Sequence, residues 1–116
     1  MRIEKNFELL KNVKCVGVIL RPSTPELKAT YLKIQELFTK ENIKVILEDN
    51  SANMIGLNGL SLNQLCKEVD FLISVGGDGT LLSVVRKTFK YDIPVLGINL
   101  GNLGFLTDIS MEQLKD

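Results

Sequence analysis

An α/β fold built on a parallel sheet is the architecture this sequence predicts, and three observations predict it. Short, almost continuous apolar runs recur along the chain, as expected of strands buried on both faces. Between them lie helix-like stretches with start signals and one apolar face. One run, Phe71-Leu72-Ile73-Ser74-Val75, ends in Gly76-Gly77-Asp78-Gly79-Thr80 and opens into the helix-like stretch 81–87. Strands alternating with helices at this spacing make βαβ units, hence a doubly wound, Rossmann-like parallel sheet.

Taken in order, residues 1–12 carry Phe7, Leu9 and Leu10 among charges, as an N-terminal extension or short helix would. Residues 13–20 are apolar almost throughout and form the first strand. The turn 21–26 starts a helix, with either Thr24 capping it and Pro25 at its first position, or Ser23 and Glu26 as a capping box. That helix sets Leu27, Tyr31, Ile34, Leu37 and Phe38 on one face, and Asn42 stops it. Residues 43–47 form the second strand. The polar, glycine-containing stretch 49–59 is expected to be a mobile loop around Met54 and Ile55. Ser61 and Gln64 match a capping box for a short helix that ends near Val69. The third strand is 71–75, the third helix 81–89 and the fourth strand 93–98, where Pro94 at the start costs little. A glycine-spaced segment, 99–108, follows, and Ser110 to Gln113 matches another capping box.

At 116 residues, the chain (1–116) has room for one ordinary domain. An apolar fraction of 45% with 24% charged residues excludes a disordered chain. Lys plus Arg equals Asp plus Glu, 14 each, so no basic field argues for nucleic acid. The apolar runs are too short for a membrane span and no secretory pattern opens the chain, so a cytoplasmic location is expected. Cys15 and Cys66 form no CxxC, and with no histidine anywhere no zinc site of the usual ligands can be built. Two reduced, buried thiols are expected. Without histidine, proton chemistry falls to carboxylates or water.

The glycine turn is the chemically informative element. Glycine has no Cβ to block approach, and the amides at a helix start favour anions, so Gly76, Gly77, Gly79 and Thr80 are candidate phosphate-binding residues. Asp78 in their midst would repel phosphate. It makes sense if it holds a hydroxyl that attacks a phosphoryl group, or reaches the phosphates through Mg²⁺. The alternative is a tight structural turn with Asp78 as a helix cap. GxxxxGK[ST] is absent, and GxGxxG fails for want of its third glycine. In the second segment the alternative is a plain loop whose Phe105 fills core. Both segments follow strands of a parallel sheet, at the edge where ligands bind, so they should face one crevice.

Together, Gly76-Gly77-Asp78-Gly79-Thr80 and Asn99-Leu100-Gly101-Asn102-Leu103-Gly104-Phe105-Leu106-Thr107 resemble the NAD kinase family. The first motif is shared with diacylglycerol and sphingosine kinases, and a close variant occurs in phosphofructokinases; the second is much narrower. The resemblance spans essentially the whole chain as the family's amino-terminal α/β domain. Family members continue into a β-rich second domain to which nothing here corresponds. It implies transfer of the γ-phosphoryl of ATP, or of polyphosphate in some members, to the adenosine 2′-hydroxyl of NAD, giving NADP. Asp78 matches the family's proton acceptor and the Gly79 turn matches backbone touching the dinucleotide. Leu103 and Phe105 match apolar residues beside the adenine, with Leu82 a further NAD-binding candidate. Mg²⁺ or another divalent cation is expected as cofactor, though no dedicated protein ligand set is visible. The full-length protein is expected to be a homo-oligomer, and these 116 residues alone to be inactive. Two other readings remain: a lipid or sugar kinase sharing the glycine motif, and a non-catalytic flavodoxin-like module. The latter needs an acidic cluster and a lysine, of which Asp49 and Asp78 supply only part.

Overall fold

The computed structural model describes residues 12–99 and the backbone of residues 109 and 110. The N-terminal residues 1–11 and most of the second glycine-spaced segment therefore lie outside the described residues. Strand β1, Cys15–Leu20, is buried or half-buried along its whole length. Its side chains alternate between two cores, Val16, Val18 and Leu20 on one face and Cys15 and Ile19 on the other. A single 3₁₀ turn, Pro25–Leu27, leads into helix α1, Lys28–Thr39. Pro25 takes the first helical position as the sequence predicts, but no side chain caps that start. The Thr24 hydroxyl donates back to the Pro22 carbonyl instead, at 2.9 Å. Helix α1 buries Tyr31, Ile34 and Phe38, and Asn42 turns the chain with a φ of 62°.

Strand β2, Lys44–Leu47, is followed by a helix where the sequence predicts a mobile loop. Helix α2 spans Asp49–Ile55, capped by the Glu48 carboxylate and closed by Gly56 at a left-handed φ of 76°. Its polar composition conceals a short inward face of Ser51, Ala52 and Ile55. Gly59 then crosses against the end of β2 so closely that a Cβ there would collide with the Leu47 carbonyl oxygen.

Helix α3, Leu62–Glu68, starts at Ser61, whose hydroxyl oxygen accepts from the Gln64 amide at 3.3 Å. Strand β3, Phe71–Gly76, runs into helix α4, Asp78–Thr88, which begins three residues earlier than the sequence predicts. A 3₁₀ turn, Phe89–Tyr91, leads to strand β4, Val95–Asn99, with Pro94 just outside it. Strand β5 is the short pair Ile109–Ser110, and the helix that Ser110 is expected to cap, over residues 111–116, lies outside the described residues. The backbone at Ser110 pairs in register with Asn99 of β4.

All pairings are parallel and the strands stand in the order β2–β1–β3–β4–β5. Helices α1 and α2 pack on the face that carries Val16, Val18, Ile73, Val75 and Ile98. Helices α3 and α4 cover the opposite face through Leu65, Cys66, Val69 and Val84 on Leu72. The sheet is thus doubly wound, as predicted, and its order reverses between β1 and β3. Open α/β sheets bind ligands beyond the carboxyl ends of their strands at such a reversal. Among the described residues no helix is long and apolar enough to cross a membrane.

Candidate functional site

A cleft of about 890 Å³ opens where the strand order reverses. One wall is residues 19–23 at the end of β1, with residues 48–51 and Met54 behind them; Ser61 and Leu62 lie at its base. The other wall is α4, through Gly79, Thr80, Ser83, Val84 and Lys87.

Placing the start of α4 at Asp78 changes how the glycine motif is read. Gly77 is the residue before the helix, with extended backbone, and Asp78, Gly79 and Thr80 form its first turn. The first intrahelical bond there runs from the Leu81 amide to the Gly77 carbonyl at 3.1 Å. Helix geometry leaves the amides of the first turn without intrahelical acceptors, so this end favours anions. The three glycines are not equivalent. Gly76 is buried, and a Cβ on it would lie 2.7 Å from Thr80 Oγ1 and 3.1 Å from Arg21 Cβ. A Cβ on Gly77 or Gly79 would meet nothing within 4 Å among the described residues. Gly76 therefore lets α4 close against β1, whereas Gly77 and Gly79 leave main chain open to a ligand.

Successive helical residues are rotated by about 100°. Asp78, Leu82, Val85 and Phe89 thus fall on one outer stripe, in which Leu82 is 46% and Phe89 82% exposed. Thr80, Ser83 and Lys87 lie about 180° away, on the cleft, while Leu81, Val84 and Thr88 are buried. Asp78 is half-buried and does not line the cleft. Of the residues singled out from the sequence, the structure brings Gly79 and Thr80 to the cleft. Asp78 and Leu82 sit on the opposite flank of the same helix, and Leu103 and Phe105 lie outside the described residues.

Arg21, Ser83 and Lys87 also line the cleft, although no sequence motif marks them. Arg21 directly follows the parallel strand β1, the same signal that marks the glycine turn after β3. Neither Arg21 nor Lys87 forms an ion pair with another described residue, although Glu48 and Asp49 line the far wall. Among the described residues no group of three His, Cys, Asp or Glu is placed to hold a metal ion. Both cysteines are free, and burial pushes the Cys15 and Cys66 thiols above the ordinary thiol range.

With this geometry in place, comparison with known proteins is decisive. Residues 16–116 match the family model described as the ATP-NAD kinase N-terminal domain. The chain belongs to the ATP-NAD kinase family. It is 58% identical over 104 residues to the NAD kinase of Sulfurimonas denitrificans, covering 90% of this chain and 37% of that protein. It is 50% identical over 106 residues to the NAD kinase of Wolinella succinogenes, at 91% and 37% coverage. The Helicobacter hepaticus NAD kinase is 52% identical over 99 residues, at 85% and 33% coverage. The chain thus spans little more than a third of the length of these relatives. Its strand order is also that of flavodoxin-like modules, so the fold alone does not separate the two readings. The family match does.

Proposed function

We propose that this domain supplies the phosphoryl-transfer half of an NAD kinase, moving the γ-phosphoryl of ATP, or of polyphosphate, to the adenosine 2′-hydroxyl of NAD. The observation that carries the reading is the split at the start of α4, with Asp78 on one flank and the cleft on the other. Displacement at phosphorus needs the attacking and leaving oxygens roughly in line, on opposite sides of the transferred group. A phosphoryl group resting on the open main chain of Gly77 and Gly79 would have a donor on its cleft side. An acceptor hydroxyl would approach from the Asp78 side.

The cleft suits a phosphate chain. Arg21 and Lys87 supply positive charge from facing walls, and Ser23, Thr80 and Ser83 supply hydroxyl donors. Asp78 orients the acceptor hydroxyl and takes its proton late, since a loose transition state asks more of positioning and charge neutralisation than of basicity. Leu82, one turn along the same flank, offers apolar surface to the dinucleotide. A divalent cation, if bound with the donor, would supply further neutralisation of phosphate charge beside Arg21 and Lys87. Residues 1–116 alone are expected to form no NADP, because they span only about a third of the relatives.

Asp78→Asn in the full-length protein should cut turnover about a thousandfold, the range seen for loss of a positioned acid–base group, with NAD affinity changed only a few-fold. Near-normal turnover would refute the role. Offering NAD, diacylglycerol and fructose 6-phosphate with labelled ATP separates this reading from other kinases sharing the glycine motif. Label is expected on NAD alone.

A further inference from the structure

The loop after β1 is held at both ends by α2. Strand β2 stops at Leu47, so the Leu20 amide has no carbonyl of β2 to pair with and donates instead to Ser51 Oγ, at 2.8 Å. The Ser51 hydroxyl has a single hydrogen, and donates it to Glu48 Oε1 at 2.9 Å. The Ser51 amide donates to that same oxygen at 3.0 Å, and the Asn50 amide donates to Oε2 at 2.8 Å. At the far end of the loop the Thr24 amide meets Met54 Sδ at 3.2 Å. Between these anchors, Ser23 holds a left-handed φ of 56°, a conformation a non-glycine residue keeps only when its surroundings impose it.

Glu48 is 7% exposed and Ser51 3%, and among the described residues no cation pairs with Glu48. Among the described residues its carboxylate is bonded by N–H and O–H donors of α2 alone. The effect is to fix the Ser51 hydroxyl so that its lone pair always faces the Leu20 amide. The next residue is Arg21, whose amide donates to the Val75 carbonyl at 2.9 Å on the β3 side.

We infer that Glu48 and Ser51 are positioning residues for the phosphate donor: acting through the Leu20 amide, they fix the loop that presents Arg21 to the cleft. This rests on the phosphoryl-transfer reading above. Steady-state kinetics of the full-length protein, varying ATP and NAD separately, test it. Ser51→Ala and Glu48→Gln should each raise the ATP KM about tenfold, with kcat and the NAD KM within about threefold, because only placement of the donor's cationic partner is lost. Ser51→Thr, which keeps the hydroxyl, should return the ATP KM to within about threefold of wild type. In an Arg21→Ala background, Ser51→Ala should add less than about twofold, since residues acting through one group are not additive.

Equal factors in the two backgrounds, or an unchanged ATP KM, would overturn the inference. So would a loss confined to kcat or to the NAD KM. If Ser51→Ala does not fold by circular dichroism, Glu48→Gln carries the same cycle. A wild-type protein that forms no NADP overturns the underlying kinase reading instead, and so separates the two failures.

Discussion

On the β3–α4 wall the cleft is edged by main chain that no other described residue crowds, whereas on the β1–α2 wall the main chain around the loop is already bonded. Gly77 and Gly79 leave open space beside them, while the amides of Leu20, Arg21 and Thr24 are tied to Ser51, Val75 and Met54. One wall leaves room for a ligand to approach the main chain. The other fixes the side chains it presents. The difference teaches that a phosphate site needs unsatisfied groups at the point of contact and satisfied groups behind them, since loose support forfeits the pre-organisation that makes the contacts effective.

Substitution with a single methyl group probes each wall. The largest effect is expected at Gly59, behind the bonded wall, where a Cβ would collide with the Leu47 carbonyl and lie 3.0 Å from Ala52 Cβ. Neither contact is the free end of a flexible side chain, so relief requires α2 to move. Gly59→Ala should destabilise the domain by about 3 kcal/mol, at the upper end of overpacking costs, as a lower urea midpoint. A midpoint within error of wild type would show that wall to be slack.

Next comes a contrast within the open wall. Gly76→Ala meets the Thr80 hydroxyl and Arg21 Cβ, and should cost about 1–2 kcal/mol of stability. Gly79→Ala meets nothing, and alanine is the better helix former, so stability should hold or rise by up to about 1 kcal/mol. The new methyl group stands where a ligand would approach, so substrate affinity should nevertheless fall about tenfold. Equal stability losses at the two positions would erase the distinction between a packing glycine and a contact glycine.

Much of this was legible before the structure. The strands buried on both faces announce themselves as unbroken apolar runs, and the glycine motif marks the open wall because its residues have little other use. Helix α2 was not legible. Its cap is Glu48, outside the Ser, Thr, Asp and Asn set that signals a helix start, and Asp49-Asn50-Ser51 reads as turn chemistry. Its apolar face is short, Ala52 and Ile55 buried with Met54 packed partly beside them. Strand β5, two residues long, is too short to carry a period. The flank on which Asp78 sits also depended on a boundary. Starting α4 at Leu81 leaves Asp78 in a loop with no defined face, whereas starting it at Asp78 sets that residue about 140° to 180° from the cleft-lining Thr80, Ser83 and Lys87.

The smallest expected effect uses Cys66 to ask whether disturbance of one wall spreads to the other. Cys66 is 6% exposed in the core beneath α3 and α4, so reagent reaches it only through opening of that core. Thiolate is the reactive form, and burial, partly offset by Lys90, raises the thiol's pKa above its ordinary value. Labelling by iodoacetamide, followed by mass spectrometry of the Cys66 peptide, should therefore be slow at pH 7 and accelerate only as the pH climbs past the ordinary thiol range. Gly79→Ala should leave the pH 7 rate within about twofold, because nothing in the core moves. Gly59→Ala should raise it in proportion to the lost stability if α2 and the α3–α4 face open as one unit. If it raises the rate no more than Gly79→Ala does, while lowering the urea midpoint, the two walls unfold separately, and the sheet between them insulates one from the other.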